Sequence, residues 1–287
     1  MNDFITKRNL TIFCIVALLI GWVGVGIDRL TPDQGAEEES LGMAVWLVFP
    51  LLLVVLLRGL AGDGWKDACF RPRFIGNGKW YFIAFAIFPA VTALTLLLGK
   101  LTNLINFDRM DWSAFSLVFL SLLGVNVIKN FFEESVWRGY LSAKLAKLSL
   151  SDFKLYLIVG LVWGLWHVPY YMVFLPDEMI YTVLPVDRVL FTLVAVVNMI
   201  VWTVMFVEIF FITGSIWSVV LLHAVEDALI NPLVIDGFIQ ITPNAEWLVS
   251  PISGIFPMLC YLGIGFWLRK QRKMLGGRYS RLVPATT

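Results

Sequence analysis

Residues 113–138 read SAFSLVFLSLLGVNVIKNFFEESVWR, and this stretch decides the class of fold. Its first half is apolar and carries no charge. Its second half brings in Lys129, Glu133, Glu134 and Arg138 without breaking the helical register. A helix of about 20 apolar residues crosses the hydrocarbon core of a bilayer. Ionisable groups on such a helix are costly in lipid, so they face protein or water. A span with a charged end therefore calls for other spans around it.

The rest of the chain supplies them. Residues 10–27, 41–57, 80–99, 155–175, 189–213, 216–235 and 247–268 are each apolar over about the length of a span. They are too long and too continuously apolar for barrel strands, and lipid otherwise tolerates only helices. The sequence predicts an all-α polytopic membrane protein of about eight transmembrane helices, residues 1–287 forming one domain. Composition agrees, with 59% hydrophobic and 15% charged residues. A net charge of +1 provides no field for nucleic acid, and no nucleic-acid motif is present. Cys14, Cys69 and Cys260 are far apart and read as small apolar residues. The first apolar stretch, after Lys7 and Arg8, reads as a retained span and not a cleaved leader.

Charge gives the expected orientation. With the N-terminus inside, the outer loops hold only Arg29, Lys100, Arg109 and Arg188, together with the acidic run Glu37 to Glu39. Apart from Lys129 within the fourth span, every other lysine and arginine is inside, so both termini are expected in the cytoplasm. The basic tail after Arg269 is expected to lie on anionic lipid. Leu141, Leu145 and Leu148, with Lys144 and Lys147 between them, fit either an interfacial helix or an extension of the fourth span.

The chemistry-bearing residues cluster. On a helix, residues four apart share a face, which pairs Lys129 with Glu133 and Glu134 with Arg138. Glu134 is thereby a structural partner, leaving Glu133 as the candidate reacting carboxylate. The chain has two histidines, His167 and His223, both within predicted spans. Asp227 and Asn231 share the face of His223, with Glu226 a competing partner. Counting about 1.5 Å per residue places Glu133 and His223 toward the cytoplasmic ends of their spans, with His167 deeper. The three can meet in a cavity, expected to open to the cytosol. A carboxylate and two histidines can bind zinc. Alternatively, the carboxylate serves as general base while the histidines hold a water and donate to an oxyanion. Glu208, in the sixth span, can line the cavity, pair with Lys129 or bond between helices. Trp80 and Trp247 read as interfacial anchors, and Pro169 as a kink that helps open the cavity.

Glu133-Glu134-Ser-Val-Trp-Arg138 resembles the EExxxR motif of the CPBP family, the CAAX proteases and bacteriocin-processing enzymes. Trp163-Gly-Leu-Trp-His167 is similar to its FxxxH motif, with Trp in place of Phe, a packing change. His223-Ala-Val-Glu-Asp227 resembles its HxxxN/D motif. The resemblance marks residues 113–235 as a CPBP-like catalytic core and implies a metal-independent intramembrane glutamic endopeptidase with no cofactor. It implies that Glu133 activates water, His167 assists, His223 and Asp227 form the oxyanion side, and Glu134 and Arg138 support them. Eukaryotic CAAX proteases carry Asn at the last position; Asp227 is expected to be neutral and to donate as that amide does. The expected partners are the bilayer and a membrane-associated peptide or protein: a CAAX-like protein, a bacteriocin precursor or a C-terminal sorting helix. The expected location is a prokaryotic cytoplasmic membrane. A non-enzymatic immunity or peptide-binding protein is the alternative. A transporter is disfavoured, because no internal repeat or pair of broken helices is seen.

Overall fold

The computed structural model describes residues 3–31, 40–148 and 150–276. Glu37 to Glu39, Arg278 and Arg281 lie outside them. The helices are α1 (Asp3–Leu30), α2 (Leu41–Gly59), α3 (Gly78–Leu101), α4 (Trp112–Val136), α5 (Ala143–Leu145), α6 (Asp152–Trp166), α7 (Asp177–Val183), α8 (Arg188–Thr213), α9 (Ile216–Ile235), α10 (Glu246–Val249) and α11 (Ile255–Met274). Two-residue strands β1 (Ile105–Asn106) and β2 (Gln240–Ile241) pair antiparallel. The chain is an all-α polytopic membrane protein, and among the described residues seven helices are long and apolar enough to cross a bilayer. The eighth expected segment, 247–268, is divided: α10 is a short turn, and α11 starts only at Ile255 and runs on into Arg269, Lys270, Arg272 and Lys273.

Helix ends follow local chemistry. Asp111 caps α4 by accepting from the amides of Ser113 and Ala114, and Ser151 caps α6 by accepting from Lys154. Gly214, at φ 63°, closes α8 in the left-handed conformation, and Ser215 at once caps α9. This two-residue turn makes α8 and α9 a tight hairpin. The fourth helix does not yield an interfacial helix. It continues through a π-helical turn, Trp137–Ser142, into α5, and Leu141, Lys144 and Leu145 are buried. The reason is electrostatic: the loop after α2 presents Asp63 and Asp67, which hold Lys144 inside the protein.

α9 is the most enclosed of the spans and α4 the least. α9 packs on α4 and α3, α8 on α6 and α11, and α1 on α2. Close approach between α6 and α8 depends on Gly160, where a Cβ would lie 2.7 Å from the Cα of Ile200. Trp80 is not an interfacial anchor: it is buried, its ring beside that of Trp267.

Candidate active site

Glu133, His167, His223 and Asp227 line one cavity of about 300 Å³. α4 contributes Glu133, the end of α6 His167, and α9 His223 and Asp227. Glu134 and Arg138 stand behind the wall and are fully buried.

The arrangement is built outward from Glu134. Its Oε1 accepts from Arg138 Nη1 at 2.8 Å and from His223 Nδ1 at 2.8 Å. The guanidinium of Arg138 lies 4.2 Å from the ring centroid of Trp163 and 4.3 Å from that of Phe206. A cation between two aromatic faces is held without water. The same two rings meet His223 edge-on. Thus His223 is gripped at Nδ1 and on its flanks, and Nε2 is the nitrogen left for chemistry.

His167 caps α6. Its Nδ1 lies 2.9 Å from the carbonyl oxygen of Trp163, which can only accept, so Nδ1 carries the proton and donates. In the neutral ring Nε2 then holds a lone pair. The helix ends here because Pro169 has no amide to continue the ladder, and the chain goes on as a π-helical turn, Tyr170–Phe174. Such turns are frequent at functional sites. The ring of Tyr171 stacks on His167.

Glu133 has Lys129 Nζ 3.6 Å away, as the spacing predicts. Asp227 departs from expectation. It is not the hydrogen-bond partner of His223. Its Oδ2 accepts from Lys129 Nζ at 3.2 Å and from Asn130 Nδ2 at 2.8 Å. Two donors, one of them a cation, satisfy a carboxylate and leave no need for a proton on it. Glu226 Oε2 is 3.9 Å from His223 Nε2. Glu208 neither lines the cavity nor meets Lys129. It is buried against Tyr156 and Arg272, whose Nε and Nη2 donate to it at 2.6 and 2.9 Å.

Three contributors escaped the sequence reading. Trp163 looked like a packing change, yet it orients both histidines and covers Arg138. Its signal was the i, i+4 spacing to His167. Asn130 stands four residues before Glu134 and reaches Asp227. Trp46 of α2 lines the cavity and donates to the Trp166 carbonyl at 2.9 Å; nothing local in the sequence marks it.

For a metal, the converging group among the described residues is His223, Glu226 and Asp227, with ligand atoms within 4.8 Å of one another. It fits a metal cation poorly, because Asp227 already holds the Lys129 ammonium at 3.2 Å, which would set a second positive charge beside the ion.

The cavity runs from Glu133 and His223 away from the basic loops, toward the first turns of α2 and α8, the Tyr170 turn and α7.

Fold and site together define a polytopic membrane protein with a buried glutamate–histidine centre. Residues 114–229 match the family described as Type II CAAX prenyl endopeptidase Rce1-like. Over 132 residues the chain is 31% identical to "CAAX prenyl protease 2" of Methanococcus maripaludis, covering 44% of this chain and 47% of that protein. The chain thus spans about half the length of the curated relative it matches. Through this segment the chain is similar to the CPBP/CAAX protease family.

Proposed function

We propose that the chain is an intramembrane endopeptidase in which Glu133 activates water. A water bound between Glu133 and His167 Nε2 gives a proton to the carboxylate as its oxygen bonds to a peptide carbonyl carbon. The carbonyl electron pair moves onto oxygen. Protonated His223, held at Nδ1 by Glu134, donates from Nε2 to that oxyanion. When the C–N bond breaks, Glu133 passes its proton to the leaving amine, and the carboxylate is restored. Asp227 holds Lys129 beside the base and acts on the oxyanion side only through this charge. No step in this scheme calls for a metal.

The observation that carries this reading is the joint lining of one cavity by Glu133, His167 and His223, with His223 anchored to a fully buried carboxylate. The test is cleavage of reporter membrane peptides by purified wild type and by Glu133→Gln. Loss of a general base costs about 10²- to 10⁴-fold. Equal turnover by a folded Glu133→Gln protein would sink the glutamate mechanism. Inhibition by a chelator, reversed by zinc, would move the reaction to a metal. Binding without turnover by either protein would favour a peptide-binding role.

A further inference from the structure

We infer that the cavity is served from the face of the membrane opposite the basic loops, so that the peptide enters from the extracytoplasmic side. The choice of a peptide rests on the protease reading above; the orientation of the cavity does not.

The two ends of the bundle are identified by contacts, not by counting spans. At one end, Asn9 of α1 donates to the Ala61 carbonyl, Asn77 to that of Thr213, and Arg269 to Asp152. The loop after α2, the α8–α9 turn, the start of α6 and the end of α11 therefore share a face. This face holds Lys66, Arg71, Arg73, Lys79, Lys147 and the basic end of α11. At the other end β1 pairs with β2, and one apolar cluster joins Ile105, Ile180, Leu184, Leu233 and Val249. That face carries Asp108, Asp111, Asp177, Glu178 and Asp187 and few bases. Basic residues are retained on the cytoplasmic side during insertion. The acidic face with α7 is then outside.

The cavity belongs to the outer end. Met43 and Trp46 lie in the first turns of α2, Phe191 and Val194 at the start of α8, and Met179 and Val183 on α7. Trp46 is level with His167, whose ring borders its own, and the other five lie on the α7 side of the catalytic residues. On the basic side the bundle is closed: residues 133–145 and 202–216 are buried without interruption. A path from the basic face would have to pass Trp137, Arg138, Trp163 and Phe206, each almost fully enclosed. The rim at the open end is braced. Arg188 donates to Asp177 at 2.6 Å and to the Tyr171 carbonyl at 2.8 Å, tying α7 and α8 to the turn that follows His167.

The occupant that fits is an unfolded, apolar peptide segment at the outer membrane boundary, such as the stretch beside the anchor of an exported protein. Its side chains would meet aromatic and methionine walls, and its scissile bond would descend to Glu133. A prenylated C-terminus held in the cytosol would lie on the closed side.

The experiment places single cysteines in a background with Cys14, Cys69 and Cys260 replaced by serine. Intact cells expressing the full chain are treated with a membrane-impermeant maleimide. Glu178→Cys on α7 and Asn231→Cys in the cavity should be labelled from outside, and Lys66→Cys only after permeabilisation. A fluorescent protein fused to the C-terminus reports orientation without changing any cysteine, and it should fluoresce as a cytoplasmic fusion does. External labelling of Lys66→Cys, a dark C-terminal fusion, or labelling of Asn231→Cys only after permeabilisation would each overturn the proposal. Reporters with the same apolar segment at the outer or the inner end of one anchor complete the test. Glu133-dependent cleavage of the outer one is expected, and cleavage of the inner one alone overturns the substrate assignment. Cleavage of neither, with labelling as expected, overturns the protease reading and the substrate assignment, while the orientation stands established.

Discussion

The basic half of the bundle and the half that carries α7 are built differently. In the basic half, charges are buried in networks. Arg58, Lys144 and Lys147 converge on Asp67 at 2.6, 2.9 and 2.5 Å, and Arg272 joins Glu208 to Asp152. Around them the helices pack without gaps. In the other half Arg188 pairs with Asp177, whose carboxylate is exposed, and the helices part to leave the cavity. Burial turns each charge in the first half into an obligation, because an unpaired buried ion is costly. The second half can therefore remain open while the first holds Glu134 and Arg138 in place behind the histidine.

The sharpest way to break this comparison is Glu134→Gln. It leaves Arg138 and His223 without their shared anion at full burial. A loss of about 3–5 kcal/mol is expected, read as a large fall in the thermal midpoint in detergent, together with lost activity. A mild effect would mean that the closed half is not held by its charges.

Asp227 sits where the two halves meet. Asp227→Asn should lower turnover by roughly tenfold, because Lys129 is then left with Glu133 alone. If the pair acts as a unit, Lys129→Gln combined with Asp227→Asn should cost less than the sum of the single changes, by about 0.5–3 kcal/mol. Additive effects would separate the two residues.

Acid sensitivity gives a third contrast. Burial would raise the carboxyl of Asp67, but the charge of Arg58 and hydrogen bonds from Arg58, Lys147 and Lys144 override it and bring it down to about 2. A carboxyl lower in the folded state than in the unfolded chain stabilises at higher pH. This contribution is complete above the ordinary value of 3.8 and is lost as pH falls toward 2. Acid titration of stability should show this loss in the wild type and a reduced slope in Asp67→Asn.

The smallest effect is expected on the open side. Asp177→Asn removes an ion pair whose carboxylate is exposed and should cost about 0.2–1 kcal/mol. A loss matching that of Glu134→Gln would show that α7 is as firmly built as the buried half.

Apolar runs of span length determined the all-α membrane class by themselves, because lipid leaves the backbone no other choice. Spacing along one helix determined that Glu133 neighbours Lys129 and that Glu134 holds Arg138, since four residues make about one turn. Depth within each span put Glu133 and His223 at a similar level, with His167 somewhat deeper. Contacts between helices were settled only by packing. His223 has Asp227 and Glu226 as sequence neighbours, yet its Nδ1 turns across to Glu134 of α4, because the α8–α9 hairpin sets that face of α9 against α4. Asp227 in turn faces Lys129 and Asn130. Lys144, legible as a surface lysine, is buried because a loop far away in sequence supplies its carboxylates. The direction in which the cavity opens depends on which half of the bundle packs solidly. No single span carries that information, since it arises from burial shared among several helices.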